Sequence, residues 1–162
     1  MEILEEAVSK WADKPALKQK QAGQWKTWTW QQYRDEIHAV AKGFIALGLE
    51  PKKGVTLIGF NSPEWFIGDI AGIYAGGIPA GIYTTSSAEQ CHYVAEHCEA
   101  QIAIVQNAEH AEKFRAIRDR LPDLKAIVQI EGGSDADDVV SWDELKAKGA
   151  EVTDAQLQER AA

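Results

Sequence analysis

The sequence has very few cysteines: its 162 residues contain only Cys91 and Cys98. Two cysteines cannot build the disulfide framework of a small secreted domain. They lie in a stretch with helical periodicity, on one face but about 10 Å apart along the helix axis. A disulfide bond cannot span that separation. With Val94 and Ala95 between them the cysteines form an apolar stripe, so we expect both thiols to be buried and unreactive.

Positive charge is also scarce, since 17 lysines and arginines oppose 25 aspartates and glutamates and the net charge is −8. Without a basic surface to neutralise phosphates, a nucleic-acid partner is not expected. Residues 131–162 carry −6 of this charge. We therefore divide the chain into an α/β N-terminal subdomain, 1–130, and an acidic, loosely structured tail, 131–162, leading toward the remainder of a longer protein. We interpret the acidic charge of this tail as solvated surface in preference to a docking segment.

Long apolar runs are missing. The first six residues lack the basic start and the apolar run of a signal peptide. The most apolar helical stretch, near 63–76, is too short to span a bilayer. We expect a cytoplasmic protein that is not transmembrane.

Motifs that hold nucleotides or metals are absent from the sequence. The turn after the first strand of the predicted sheet reads Asn-Ser-Pro-Glu-Trp, and neither Gly-x-Gly-x-x-Gly nor Gly-x-x-x-x-Gly-Lys-Ser/Thr occurs. The histidines do not have the spacing of zinc ligands; they are His38, His92, His97 and His110. We predict no catalytic, cofactor-binding or metal-binding residue in this chain.

What the sequence does contain is an alternation of strands and helices. It begins with an amphipathic helix, a β-hairpin that turns at Ala22-Gly23, and a helix that opens with a capping box of Thr29 and Gln32. Strands are then predicted at 55–60, 79–83, 101–105 and 125–130, with helices at 63–76, 88–98 and 108–121. Ser141 and Glu144 indicate one more short helix, and 150–162 the start of another.

Three successive strand–helix–strand units imply right-handed crossovers. The predicted fold is therefore α/β: an open, mostly parallel sheet with helices on both faces, a flavodoxin-like subdomain, preceded by a helix and a β-hairpin. Gly68, Gly72 and Gly76 recur every four residues in the apolar helix predicted at 63–76. Each glycine inside a helix costs about 1 kcal/mol in propensity, so we expect a sheet face or another helix to approach closely there.

The loops after the strands are the candidate binding region, since open parallel sheets bind ligands beyond the carboxyl ends of their strands. Asn61 follows the first of these strands, and Tyr83, Thr84 and Thr85 follow the second. We interpret these four residues as a possible pocket mouth. Residues 84–87 all carry hydroxyl groups. A polar linker that ends in a helix cap is the more ordinary interpretation of this segment, and it stays open.

The six tryptophans allow two interpretations. They are typical of surfaces that stack on a sugar or contact an acyl chain. More simply, Trp28, Trp30 and Trp65 complete the core of a small domain.

Three segments are specific enough to suggest a family: GFNSPEWF at 59–66, AGG at 75–77 and GIYTT at 81–85. They resemble the N-terminal segment of AMP-forming long-chain acyl-CoA synthetases, members of the adenylate-forming enzyme superfamily, and especially of the bubblegum-type branch. Weaker similarity lies in segments 14–17, 28–33, 41–49, 124–129 and 141–144.

The resemblance implies that a full-length parent joins a fatty acid to coenzyme A with ATP and Mg²⁺, through an acyl-adenylate. In that family the phosphate-binding loop begins soon after the position of Ala162, so no catalytic residue is carried over and no cofactor is expected on this chain alone. The implied partners are the remainder of the ligase or a self-associated dimer, with a fatty acid as the parent's substrate. The parent would be cytoplasmic, with a possible peripheral membrane location.

Two other interpretations stay open. One is a stand-alone, non-catalytic domain derived from that family that binds lipid or protein. The weaker one is an unrelated flavodoxin-like domain, although the loops offer no flavin or phosphoryl site.

Overall fold

The computed structural model describes residues 2–133, 136 and 138–161, and in these residues it contains seven helices and seven strands. The helices are α1 (Glu2–Trp11), α2 (Trp30–Ala46), α3 (Pro63–Tyr74), α4 (Ala88–His97), α5 (Ala108–Arg115), α6 (Trp142–Gly149) and α7 (Asp154–Ala161). The strands are β1 (Pro15–Gln21), β2 (Gln24–Thr29), β3 (Gly54–Ile58), β4 (Ile78–Ile82), β5 (Ala100–Val105), β6 (Ala126–Gln129) and β7 (Val139–Ser141).

Five strands form one parallel sheet in the order β4-β3-β5-β6-β7, and β1 and β2 form a separate antiparallel hairpin. The central strands β3 and β5 are buried along their whole length, as expected for parallel strands covered on both faces. The predicted parallel sheet and hairpin are confirmed. β7 was not predicted, because its three residues are too short to give a periodic signal.

Helices cover both faces of the sheet, as predicted. On one face α2, α3, α6 and α7 enclose a core around Phe44, Leu57 and Ile104. On the other face α4 and α5 enclose a second core around Phe114, Val105 and Ile127. Among the described residues, no helix is both long and apolar enough to cross a membrane.

The predicted helix starts are confirmed by their caps. Capping boxes join Thr29 with Gln32, Ser87 with Gln90 and Ser141 with Glu144. Ser62 accepts a hydrogen bond from the backbone N–H of Trp65 at the start of α3. These signals involve residues three positions apart, which is why the sequence alone reveals them.

The predicted helix over 108–121 is wrong at its end. α5 stops at Arg115, and a 3₁₀-helix, Arg118–Arg120, follows before Pro122. Leu121 has φ −119° and ψ 74°, which lies outside the α region that a following proline disfavours. The chain therefore leaves the α-helix before reaching the proline.

Residues 139–161 add β7, α6 and α7 to this structure: β7 pairs with β6, and Trp142, Leu145 and Leu157 enter the first core. The division of the chain at residue 130 stays a prediction. Both cysteines are free, and burial raises the pKa of each thiol.

Side chains on the face of the sheet lie close to the α3 glycines, as predicted. A Cβ on Gly68 would lie 2.8 Å from Ile104 Cδ1, and one on Gly72 would lie 3.0 Å from Pro79 Cγ. A tighter contact, between α2 and α6, was not predicted. A Cβ on Gly43 would lie 2.5 Å from the Leu145 carbonyl oxygen, and one on Gly149 would lie 2.6 Å from the Gly43 backbone nitrogen. The two helices therefore touch backbone to backbone.

We expect Gly43→Ala to destabilise the fold although alanine is the better helix former. The added methyl group meets backbone that cannot rotate away, so overpacking of about 1–3 kcal/mol outweighs the propensity gain. Urea denaturation followed by circular dichroism measures the free energy of unfolding. Gly81→Ala is the control, because its Cβ would have its nearest neighbour at 3.7 Å, an ordinary contact. Equal stability of both variants would contradict the backbone contact between α2 and α6.

Candidate functional site

The loops after β3, β4, β5 and β6 meet at the edge of the sheet that the carboxyl ends of its strands form, because these strands run in parallel. This edge is where open α/β sheets place their ligands. It therefore contains all of the residues that the sequence nominated, and the geometry of its loops decides what can bind there.

Gln106, at the end of β5, joins three of these loops. It is only 2% exposed. Its Oε1 accepts a hydrogen bond from the Phe60 backbone N–H at 3.1 Å, and its Nε2 donates to Glu131 Oε1 at 2.8 Å. A Cβ on Gly59 would lie 2.7 Å from the same Oε1. Glycine at position 59 thus leaves room for the buried amide that links the loops after β3 and β6.

The loop after β4 is attached to α5. Lys113 Nζ donates a hydrogen bond to the Thr84 carbonyl oxygen at 3.1 Å. His110 is buried nearby, and its ring centroid lies 6.2 Å from that of Phe60. Burial lowers the pKa of His110, and the Lys113 charge lowers it further, while Glu109 and the Thr84 backbone oppose the shift. The imidazole is therefore neutral at pH 7 and serves as packing between two loops.

A groove of about 440 Å³ opens between the loops after β3 and β4. The structure brings three of the four nominated residues to it, Asn61, Tyr83 and Thr84, while Thr85 does not line it. The rest of the lining is glycine and apolar surface: Gly59, Phe60, Trp65, Gly81 and Ile82. Whether these residues form the mouth of a substrate pocket stays a prediction.

The chemistry of this groove follows from its lining. None of its residues is charged, so it offers no cation for a phosphate and no carboxylate for a metal ion. Phe60, Trp65 and Tyr83 suit the flat face of a ring or an alkyl chain. Elsewhere in 2–133, 136 and 138–161, the structure shows no group of three histidine, cysteine or acidic side chains arranged for a metal.

A larger cavity than this groove, about 980 Å³, was missed by sequence reasoning. It lies between α1, α2, α6 and α7, and its polar lining includes Glu5, Arg34, His38, Lys42 and Asp154. Most of these charges are paired: Arg34 with Glu5, and Lys42 with Asp154 at 2.7 Å. Its residues come from positions 2 to 161, so no local motif could have indicated it.

Burial is the largest cause of the pKa shifts of His38 and Tyr74 in this cavity. Burial lowers the pKa of His38, although Glu5 Oε1 lies 3.5 Å from its Nε2 and acts in the opposite direction. Burial also raises the pKa of Tyr74 to about 12, with Glu5 contributing. The cavity therefore combines acidic and basic side chains in one lining.

Sequence comparison connects this fold to known enzymes. The family model described as "AMP-binding enzyme" matches residues 4–161. The long-chain-fatty-acid–CoA ligase ACSBG2 of Gallus gallus is 47% identical over 98% of this chain, and that of Xenopus laevis is 44% identical over the same share. The human ACSBG2 ligase is 38% identical over 98% of the chain. The chain spans 21% to 24% of the length of these relatives.

Structural comparison agrees. An anthranilate CoA ligase, AuaEII, solved with anthranoyl-AMP, matches 90% of this chain at a TM-score of 0.76 and 27% identity; the match covers 26% of that chain. Coronafacic acid ligase of Pectobacterium brasiliense matches 93% at a TM-score of 0.78 and covers 29% of that protein. Its 12% identity shows the shared fold alone.

We expect Gln106→Ala to destabilise the chain by about 1–3 kcal/mol, because it removes both hydrogen bonds of a buried amide and leaves the Phe60 N–H and the Glu131 carboxylate without that partner. The measurement is urea denaturation. Gln24→Ala, on the exposed strand β2, is the control and should be close to neutral. A Gln106→Ala variant as stable as the Gln24→Ala variant would show that the amide does not hold these loops together.

Proposed function

Since the chain belongs to the AMP-binding enzyme family, we propose that it is the N-terminal part of a long-chain fatty acid–CoA ligase. The observation that carries this proposal is 44–47% identity to two such ligases over 98% of the chain. The stand-alone lipid- or protein-binding domain is not favoured, because the similarity to ligases runs along nearly the whole sequence.

The proposed parent reaction has two steps. The fatty acid carboxylate attacks the α-phosphorus of ATP and releases pyrophosphate, and the thiol of coenzyme A then displaces AMP from the acyl-adenylate. The residues of this chain do not fit ATP or Mg²⁺, because the groove at the sheet edge contains no charged side chain. We assign the binding of ATP, Mg²⁺ and coenzyme A to other parts of the parent.

We propose that this chain contributes part of the wall of the parent's substrate pocket and no catalytic group. Asn61, Tyr83 and Thr84, with the aromatic wall around them, would form the rim of the parent's substrate pocket. Gln106 and Lys113 would hold that rim in place through the Phe60 N–H and the Thr84 carbonyl. We further propose that the parent works in the cytoplasm on a fatty acid substrate.

Apolar side chains left at the surface indicate where the remainder of the ligase would pack. Ile3, Ile70 and Ile73 line an apolar cavity of about 250 Å³ between α1, α2 and α3. Phe60, Phe66, Ile78 and Tyr83 are exposed on and around α3 and β4. Surfaces of this kind are seldom left open to water.

The direct test is a chimera. We expect the Gallus gallus ligase, with its matching segment replaced by this chain, to keep oleate-dependent formation of AMP and acyl-CoA from ATP and coenzyme A. The isolated 162-residue chain should show no oleate-dependent exchange of pyrophosphate into ATP, because it lacks the residues that hold phosphates. Both activities are measured with radiolabelled substrates.

A Gly43→Asp version of the same chimera is the control, since an aspartate cannot fit against Leu145. It should lose activity together with its cooperative melting transition. A well-folded but inactive chimera would contradict the proposed function, as would exchange activity of the isolated chain.

Without a ligase remainder, the free edge of β4 offers a site for a second copy. Among the described residues β4 pairs with β3 alone, and its residues Ile78–Ile82 carry no charge to prevent edge-to-edge pairing. The Ile78 N–H donates to the carbonyl oxygen of Lys53, the residue immediately before β3. Because backbone groups alternate sides along a strand, the N–H and C=O of Gly81 point away from the sheet.

We expect the isolated chain to dimerise through this edge at high concentration. Gly81→Pro removes the outward N–H and should weaken the dimer, whereas Gly81→Ala keeps it and should not. Sedimentation equilibrium measures both association constants. A wild-type chain that stays monomeric, or a dimer indifferent to Gly81→Pro, would contradict pairing through β4.

A further inference from the structure

The acidic net charge of the chain conceals a local basic region. Residues 10–30 contain five lysines and a single acid, Asp13, within a protein of net charge −8. The lysines are Lys10, Lys14, Lys18, Lys20 and Lys26. Nearly all of them lie on the β1–β2 hairpin or next to it, so the positive charge is concentrated on one element.

The strand register sorts the hairpin side chains onto two faces. Lys18 lies opposite Thr27, and Lys20 lies opposite Trp25. Because side chains alternate along a strand, these four share one face, which we call the hairpin patch. The other face holds Leu17 and Trp28, which are packed toward the protein.

The hairpin patch is solvent-exposed, and its charges are available. Trp25 is 67% exposed, and Trp11 at the base of the hairpin is 51% exposed. Within the part of the chain that the structure describes, Lys10 pairs with Glu6, but Lys14, Lys18 and Lys20 form no ion pair. Lys26 lies over the ring of Trp28 at 4.4 Å. Of the three tryptophans interpreted as core, Trp28 is buried, whereas Trp30 and Trp65 are half-buried. Trp25 was not among them.

We infer that the hairpin patch docks onto an anionic phospholipid surface. Lysines near such a surface are attracted by its negative potential, each strengthening binding about fivefold. Tryptophan is the side chain best suited to the boundary between lipid headgroups and acyl chains. A lysine pair beside an exposed tryptophan therefore matches both the charge and the polarity profile of a bilayer surface.

The size and the surroundings of the patch favour lipid over other anionic partners. Four side chains on a two-stranded hairpin cover far less than the roughly 800 Å² that each partner buries in a stable protein complex. A nucleic acid would extend beyond the patch and meet the remaining surface, where the acidic excess of the chain is found. A membrane is planar, and the exposed face of the hairpin can contact it alone.

The test is sedimentation of the 162-residue chain with vesicles of phosphatidylcholine containing 30% phosphatidylserine, compared with vesicles of phosphatidylcholine alone. We expect binding to the anionic vesicles only, and its loss in high salt. Lys20→Glu should weaken binding at least tenfold, because it removes one attraction and adds a repulsion. Trp25→Ala should weaken it also, which a purely electrostatic contact would not show.

Lys148→Glu on α6 is the matched control, with the same change in net charge at another exposed position, and it should bind like wild type. Circular dichroism establishes that all variants are folded. Absence of binding to anionic vesicles overturns the inference, and so does equal weakening by Lys20→Glu and Lys148→Glu. Binding to a single-stranded RNA as tight as to the vesicles, and unaffected by Trp25→Ala, would also overturn it.

Discussion

The parallel pairing of β3 with both β4 and β5 is the constraint on which the rest of the structure depends. Parallel neighbours cannot be joined by a tight turn, so each connection must cross a face of the sheet, and a helix makes each crossing. Helices on both faces then bury β3 and β5 completely, which explains their apolar sequences. The same pairing brings every strand's carboxyl end to one edge, so the candidate site follows from the topology.

Gln106 shows how that edge becomes a defined surface. A glutamine at the end of a buried strand is costly unless both ends of its amide are satisfied. Here Phe60 donates to it and Glu131 accepts from it, so the cost of burial is offset only when both loops are in place. The polar side chain therefore links the positions of two loops that are about seventy residues apart in the sequence.

Local signals in the sequence predicted the fold well, and long-range contacts could not be predicted. The capping boxes and the apolar strands depend on residues a few positions apart, so helix starts and the parallel sheet were recognised. The contact between Gly43 and Gly149 joins residues more than a hundred positions apart, and nothing local marks either glycine. For the same reason Asn61, Tyr83 and Thr84 could be nominated from their loops, whereas the Gln106 network and the cavity around His38 could not.

The edge of β4 and the hairpin patch differ in the interaction that each offers to a partner. The edge of β4 offers unpaired backbone groups and uncharged side chains, which suit another polypeptide strand. The hairpin patch offers lysines around a tryptophan, whose attraction to an anionic surface fades within about 8 Å at physiological salt. Salt therefore weakens contacts at the hairpin and leaves strand pairing at β4 nearly unchanged. Because separate elements carry the two surfaces, occupation of one does not use the residues of the other.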